Sequence, residues 1–353
     1  MKLFQCTNCK NTVVFENNKC LNCSFKLGYS SYYNKIVSLD PSVGSWQVEE
    51  LDGKTYEYCE NYNHKVCNWL VDVSRGRKFC LACTLNRTIP HLLDDDNLEK
   101  WKHIEIAKHR LVYQLLRFRL PVVRKTKDAI DGFCFDFLAK DDLPEESKDL
   151  KTGHANGVIT LLISEADPVV REQIKQQMAE RYRTLLGHFR HEVGHYFWDL
   201  LIRDNPDVLV EFRNIFGDES QSYADALANH YNNGPKVHWQ QSYISKYASS
   251  HPWEDWAETW SHYLHLTDVL ETAYNFGLSS DPKITAKKNL KMNAGFDPYK
   301  VKDFKKIMDT GIPLLFALNS MNRSMGEDDP YPFVISKSVE NKLEFIHNLL
   351  KGI

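Results

Sequence analysis

Residues 185–201 read LLGHFRHEVGHYFWDLL, and within them His191, Glu192, Val193, Gly194 and His195 form an H-E-x-x-H motif. Leu186, Phe189, Val193, Phe197, Leu200 and Leu201 recur at helical spacing, which predicts a buried helix from about Gly187 to Leu201. Positions i and i+4 share one face of a helix, one turn apart. His191 and His195 can therefore hold a single metal ion. Glu192 follows the first of them, beside the ion's open position. There it can take a proton from an activated water and later deliver it to a leaving amine.

Downstream of the motif, Trp198 stands where the extended three-histidine form would need glycine, so a third ligand must come from further along. Asp218, Glu219, Asp225, Glu254 and Glu258 are candidates. The run YASSHPWEDWAETW, Tyr247 to Trp260, makes Glu254 the first choice and Glu219 the second. Ser249, Ser250 and Pro252 mark a helix start, and Trp253, Trp256, Ala257 and Trp260 give that helix a buried face. Glu254 and Glu258 lie one turn apart among these tryptophans, where a buried carboxylate needs a partner. One can bind the ion while the other orients a histidine. His262 and His265, on the same helix, read as packing or surface histidines. Further on, helical patterns surround Phe304–Met308, Leu314–Leu318 and Val339–Leu350, with a polar turn at Asn319–Gly326. Arg323 in that turn reads as binding local carbonyls or an acidic neighbour such as Glu327, with a substrate carboxylate as the alternative.

Upstream, Pro168 opens a helix expected to run through about Leu186. The stretch 157–167, GVITLLISEAD, reads as a strand ending in a turn, Asp141–Asp149 as a loop, and FCFDFL, 133–138, as a strand with Cys134 in its core. Leu98, Trp101, Ile104, Leu111 and Leu115 predict a helix that starts at Asp94–Asp96 and is stopped by Pro121. Arg117 and Arg119 close it, and with Lys102, Lys108 and Arg110 they form a charged outer face.

Eight of the nine cysteines fall between residues 6 and 83. Cys6/Cys9, Cys20/Cys23 and Cys80/Cys83 are C-x2-C pairs, joined by Cys59 and Cys67. Each pair can bend as a knuckle that aims two thiolates at one ion, and two knuckles complete the tetrahedral shell of a structural zinc. Cys6, Cys9, Cys20 and Cys23 form the first quartet. Cys59, Cys67, Cys80 and Cys83 form the second, with His64 as the fallback for one thiolate. A disulfide framework would need an export signal, and MKLFQCTNCKN has no apolar core of that kind, so a reducing, cytoplasmic setting is expected. Around the first quartet, residues 1–30 read as a ribbon of short strands centred on Val13, Val14 and Phe15. So small a module needs its metal to fold.

Composition narrows the function classes. The chain has 353 residues, 44 Lys+Arg and 47 Asp+Glu. No apolar run approaches the ~20 residues of a membrane span. Residues 1–90 hold eleven Lys/Arg against eight Asp/Glu, and eight thiolates with two Zn2+ bring the balance to -1. That is not the basic footprint of a nucleic-acid binder. The expected architecture is α+β: a zinc ribbon at 1–40, a second four-cysteine module at 41–95, and a hydrolytic domain at 96–353 with a helical C-terminal part. The expected function is zinc-dependent amide hydrolysis on a peptide or protein substrate, with one catalytic and two structural zinc ions. The alternative is a protein-binding adaptor whose H-E-x-x-H helix is structural.

The H-E-x-x-H helix followed by Tyr-x6-Glu-x3-Glu resembles gluzincin peptidases of the anthrax lethal factor kind. The whole chain, with its cysteine knuckles, LNRTIP, GHFRHEVGHY and HPWEDWAETWSHYLH, resembles a bacterial family of zinc-binding metallopeptidases with an N-terminal zinc-ribbon domain. The resemblance implies a zincin-like domain with His191, His195 and Glu254 as zinc ligands and Glu192 as general base. It implies Tyr247 as the hydroxyl that stabilises the oxyanion and Glu258 as the residue that orients a ligand. Read from the residues alone, Tyr247 can also be a cap or core aromatic. The resemblance further implies that substrate lies along an edge strand, for which Val158–Ile163 stands in the right sequence place.

Overall fold

The computed structural model describes residues 2–143, 152–177, 183–283 and 290–352. Its first knuckle leaves strand β1 (Phe4–Gln5), turns at Cys6–Cys9 and returns as β2 (Thr12–Val13), with Phe4 opposite Val13. The turn closes by Lys10 N–H donating to the Cys6 carbonyl at 2.9 Å, with Lys10 in the left-handed region. Cys20–Ser24 repeats the same bond at 2.9 Å, again with a left-handed final residue. The hairpin β3 (Lys26–Ser30) and β4 (Lys35–Leu39) follows, then the antiparallel meander β5 (Trp46–Val48), β6 (Lys54–Tyr58) and β7 (Leu70–Asp72).

The ribbon's apolar centre differs from the sequence expectation. Val13 and Phe15 point inward, whereas Val14 is 48% exposed. Alternation along an extended chain puts Val14 on the opposite side from its neighbours. Phe15 packs on Tyr29, Tyr113 and Trp69 with ring centroids 4.8, 5.2 and 6.1 Å away. The first ribbon therefore shares its core with the second cysteine module and with the long helix that follows.

That helix, α2 (Asp95–Arg117), comes after one short turn, α1 (Leu81–Thr84), and strand β8 (Asn86–Thr88). Asp94 caps α2 by accepting from Asp96 N–H at 2.9 Å. It ends before Pro121, with Arg119 in the left-handed region. Its charged residues do not all face outward: Lys108 is fully buried, and Arg110 donates to Glu16 at 2.6 Å. Beyond α2, strands β9 (Cys134–Leu138), β10 (Gly153–Ala155) and β11 (Val158–Leu162) join β8 in one sheet of order β10-β11-β9-β8. β9 is parallel to both neighbours, and Cys134–Phe137 are all buried, as expected of a strand covered on both faces. β11 is an interior strand, with β9 on one side and β10 on the other, so Val158–Leu162 is not the free edge inferred from the resemblance. Residues 144–149 of the expected loop lie outside the described residues.

Packing divides the chain into two units, 1–171 and 172–353. α3 (Pro168–Gln177) crosses the division, and the rest of its expected span, 178–182, lies outside the described residues. Thr184 caps α4 (Leu185–Trp198), which continues as a π turn over Asp199–Arg203. Then come α5 (Pro206–Phe216), α6 (Tyr223–Asn233) and α7 (Pro252–Phe276), the small pair β12 (Ser279–Ser280) and β13 (Met292–Asn293), α8 (Phe304–Ser324) and α9 (Lys337–Lys351). α7 is the hub of this unit. It packs on α4, α5, α8 and α9, and Trp256 and Trp260 on it are fully buried. α7 begins at Pro252 with His251 as its cap, not a serine: His251 Nδ1 accepts from Trp253 N–H at 3.1 Å. α8 runs through Pro313 and on to Ser324, so the turn expected from Asn319 starts later. Asn319 is recruited elsewhere, exchanging two hydrogen bonds of 2.8 and 3.1 Å with the backbone of Tyr331. Among the described residues no helix is long and apolar enough to cross a membrane.

Candidate active site

α4 and α7 lie against each other, and the contact depends on Gly194. A Cβ there would sit 3.1 Å from the Trp260 ring and 3.2 Å from the Cα of Ala257. The Gly194 carbonyl also accepts from the Trp256 indole N–H at 2.8 Å. This close pairing sets the H-E-x-x-H face of α4 opposite the first turn of α7.

Three donor atoms converge between the helices. His191 Nε2 is 3.2 Å from His195 Nε2, and Glu254 Oε2 is 3.0 Å from the first and 3.5 Å from the second. Zn–N and Zn–O bonds of 2.0–2.1 Å in a tetrahedron set ligand atoms about 3.3 Å apart, so the triangle fits one zinc ion. The protonation pattern agrees. His191 Nδ1 donates to Glu258 Oε1 at 2.8 Å, which leaves Nε2 with a lone pair in the neutral ring. Glu254 Oε2 is buried and receives no hydrogen bond. Two imidazole nitrogens and a buried carboxylate oxygen facing one another call for a cation, which is a metal ion or, without one, a proton on an imidazole.

Electrostatics reinforce the cluster. Burial disfavours charge on Glu254, yet the imidazoles of His195 and His191 hold its carboxyl well below the usual range. For His191, burial is again opposed, here by Glu254 and Glu258, and its basicity rises. Glu192 is 6% exposed, and His188 Nε2 lies 3.2 Å from its Oε1. Burial raises the pKa of Glu192, and the bond from His188 together with the imidazole charges of His191, His188 and His195 more than reverses this. Tyr247, on a short turn before α7, places its ring 6.0 Å from that of His191. Burial and the Glu254 charge push its hydroxyl well up, so it stays a proton donor.

The structure thus brings together His191, His195, Glu254, Glu258, Glu192 and Tyr247. The other acidic candidates are engaged elsewhere. Glu219 forms a two-pronged pair with Arg213 at 2.6 and 2.9 Å, Asp218 accepts from Ser220, and Asp225 is exposed on α6. His262 and His265 are buried, bonded to Tyr331 and Arg190. Arg323 pairs with Asp329, not Glu327, at 2.6 Å through both arms.

Two contacts were not foreseen. His188 stands one turn before Glu192, a spacing that could have flagged it. Tyr223 on α6 donates to Glu254 Oε1 at 2.6 Å, holding the oxygen that faces away from the histidines. Its local sequence, SYADALANHY, carries no signal of that role.

In the other unit the cysteines gather as two cages. Cys6–Cys23 and Cys9–Cys20 sulfurs are 3.6 and 3.5 Å apart, and Cys67–Cys80 are 3.7 Å apart. A tetrahedral zinc with Zn–S of 2.3 Å imposes about 3.8 Å. Cys9 and Cys23 are half-buried, while Cys59, Cys67, Cys80 and Cys83 are all buried. His64 is exposed against Trp101 and takes no part. Cys134 is buried in β9.

Residues 97–349 match a family described as "putative zinc-binding metallo-peptidase", and residues 3–94 match a zinc-ribbon domain. The chain belongs to this metallopeptidase family. Uncharacterized proteins of Mycobacterium tuberculosis and Mycobacterium bovis are 38% identical to it over all 353 residues, which cover 96% of each relative. No solved structure matches it. In this metallopeptidase-family chain the family boundary at 94–97 falls at the first turn of α2, whereas packing groups α2 and the four-stranded sheet with the cysteine cages.

Proposed function

We propose that the chain is a zinc-dependent peptidase whose 172–353 unit works as a zincin-like, gluzincin-type catalyst. The observation that carries this reading is the three-donor triangle of His191, His195 and Glu254 with Glu192 beside it. Three protein donors leave a fourth position for water or substrate, unlike the closed four-thiolate cages. Zinc held there would acidify a water and polarise the scissile carbonyl.

The chain's own groups do the rest. Glu192 accepts the proton of the attacking water and hands it to the leaving amine, with His188 fixing its carboxylate. Tyr247 donates its hydroxyl proton to the oxyanion as charge develops there. Glu258 keeps His191 in the tautomer whose Nε2 faces the ion, and Tyr223 aims Glu254. The substrate class is a peptide or protein. Two structural zinc ions in the cysteine cages and a reducing, cytoplasmic setting complete the proposal, and neither nucleic acid nor membrane has a part in it.

Glu192→Gln tests it on a mixed peptide library. Turnover should fall 10^2–10^4-fold while the zinc content stays that of wild type. Equal cleavage by both proteins would reject Glu192 as the base. No turnover by zinc-loaded wild type on any peptide would favour the adaptor reading instead.

A further inference from the structure

The second cysteine cage has neighbours that one zinc ion does not explain. Glu105, Lys108 and His109 project from α2 onto Cys83, and all three are buried, at 0, 0 and 4% exposure. Cys83 Sγ lies 3.8 Å from Glu105 Oε2 and 3.8 Å from His109 Nε2. The donor atoms of Cys83, Glu105 and His109 all lie within 4.8 Å of one another.

The orientation of each donor is already fixed by an outer partner. His109 Nδ1 is 2.6 Å from the Glu105 backbone carbonyl, which can only accept. Nδ1 therefore carries the proton, and in the neutral ring Nε2 turns a lone pair toward the Cys83 sulfur. Glu105 Oε1 accepts from Lys108 at 2.7 Å and from Asn86 at 2.9 Å, which leaves Oε2 for Cys83. A histidine that donates its second N–H to a carbonyl, beside a carboxylate held by hydrogen bonds, is the outer arrangement of metal ligands.

Charge leads to the same place. Four thiolates and Glu105, set against Lys108 and one divalent ion, leave two negative charges in a site with no exposed member. A second divalent ion removes them, and uncompensated buried charge is costly.

We propose that Cys83, Glu105 and His109 hold a second divalent cation beside the four-cysteine cage, with the Cys83 thiolate bridging the two ions. One thiolate, one imidazole and one carboxylate form a donor set suited to zinc. With Zn–S of 2.3 Å and Zn–N or Zn–O of 2.0–2.1 Å, a shared ion places sulfur about 3.6 Å from each partner, close to the spacings found. The chain then carries four zinc ions where its cysteine count and its H-E-x-x-H motif suggest three. This assignment does not depend on the proposed peptidase activity.

The test uses the full chain with His191→Ala and His195→Ala, which silences the other metal-donor set. The protein is saturated with zinc, desalted, and its metal counted by mass spectrometry. Three equivalents are expected, with zinc–zinc scattering in X-ray absorption at about 3.5–4 Å. Adding His109→Ala should remove one equivalent and the zinc–zinc signal, while His109→Cys, which restores a donor, should keep both. Two equivalents before any change at His109 would overturn the proposal, as would three that His109→Ala leaves untouched. Should His109→Ala fail to fold, the count and the scattering of the protein with His109 intact decide alone.

Discussion

The cage of Cys59, Cys67, Cys80 and Cys83 and the triad of His191, His195 and Glu254 solve opposite problems with similar means. In the cage, sulfur comes from an extended segment, a loop and the cap of a short helix, so the donors meet only if distant pieces of chain are gathered. In the triad, two donors share one helix and the third stands on a helix locked against it through Gly194 and Trp256. The cage is sealed by four protein atoms and holds its surroundings together. The triad's scaffold is held by an apolar helix contact that needs no ion. The difference teaches which site should tolerate being empty.

The largest expected effect follows from the cage. Cys67→Ser should abolish cooperative unfolding of the 1–171 unit, because structural zinc supplies about 10–16 kcal/mol of apparent folding energy in small modules. Circular dichroism and zinc content read the outcome, and native-like melting with the metal gone would break the comparison. A smaller, cleaner contrast comes from a chelator. It should strip the triad's ion and all activity while far-ultraviolet circular dichroism stays at the native value, with the cage ions leaving later. Simultaneous loss of activity and secondary structure would show that the triad, too, is a folding site. The mildest test concerns the outer partners. Glu258→Gln and Tyr223→Phe should each weaken zinc binding at the triad by about 10–100-fold in competition titrations, with the cage ions unaffected. Wild-type affinity in Tyr223→Phe would mean that its bond to Glu254 is incidental.

What could be read from sequence follows the same divide. The α4 helix and the C-x2-C pairs rest on short spacings, which local geometry fixes, and Glu254 stood out through its one-turn spacing to Glu258 among the tryptophans of α7. Tyr223 could not be read, because its own helix carries no pattern that singles it out as the partner of Glu254. Val14 and Lys108 were misjudged for a related reason. Periodicity tells which residues share a side, but not which tertiary neighbour covers it. Lys108 is buried because Glu105 and Asn86 meet it there. The interior place of β11 depended on β10, whose three residues are too few to register as a strand by alternation.

The snug seat of Gly194 has a wider consequence. Of the two variable positions inside the five-residue motif, the one before His195 is not free in this chain, since even a Cβ there would press on Trp260 and Ala257 and force α7 to give way by a few tenths of an ångström. Grafting those five residues onto a foreign helix would transfer the imidazoles but not the carboxylate that faces them. The heritable unit of this chemistry is a pair of helices, and the motif is only the part of it that fits within a single glance at the sequence.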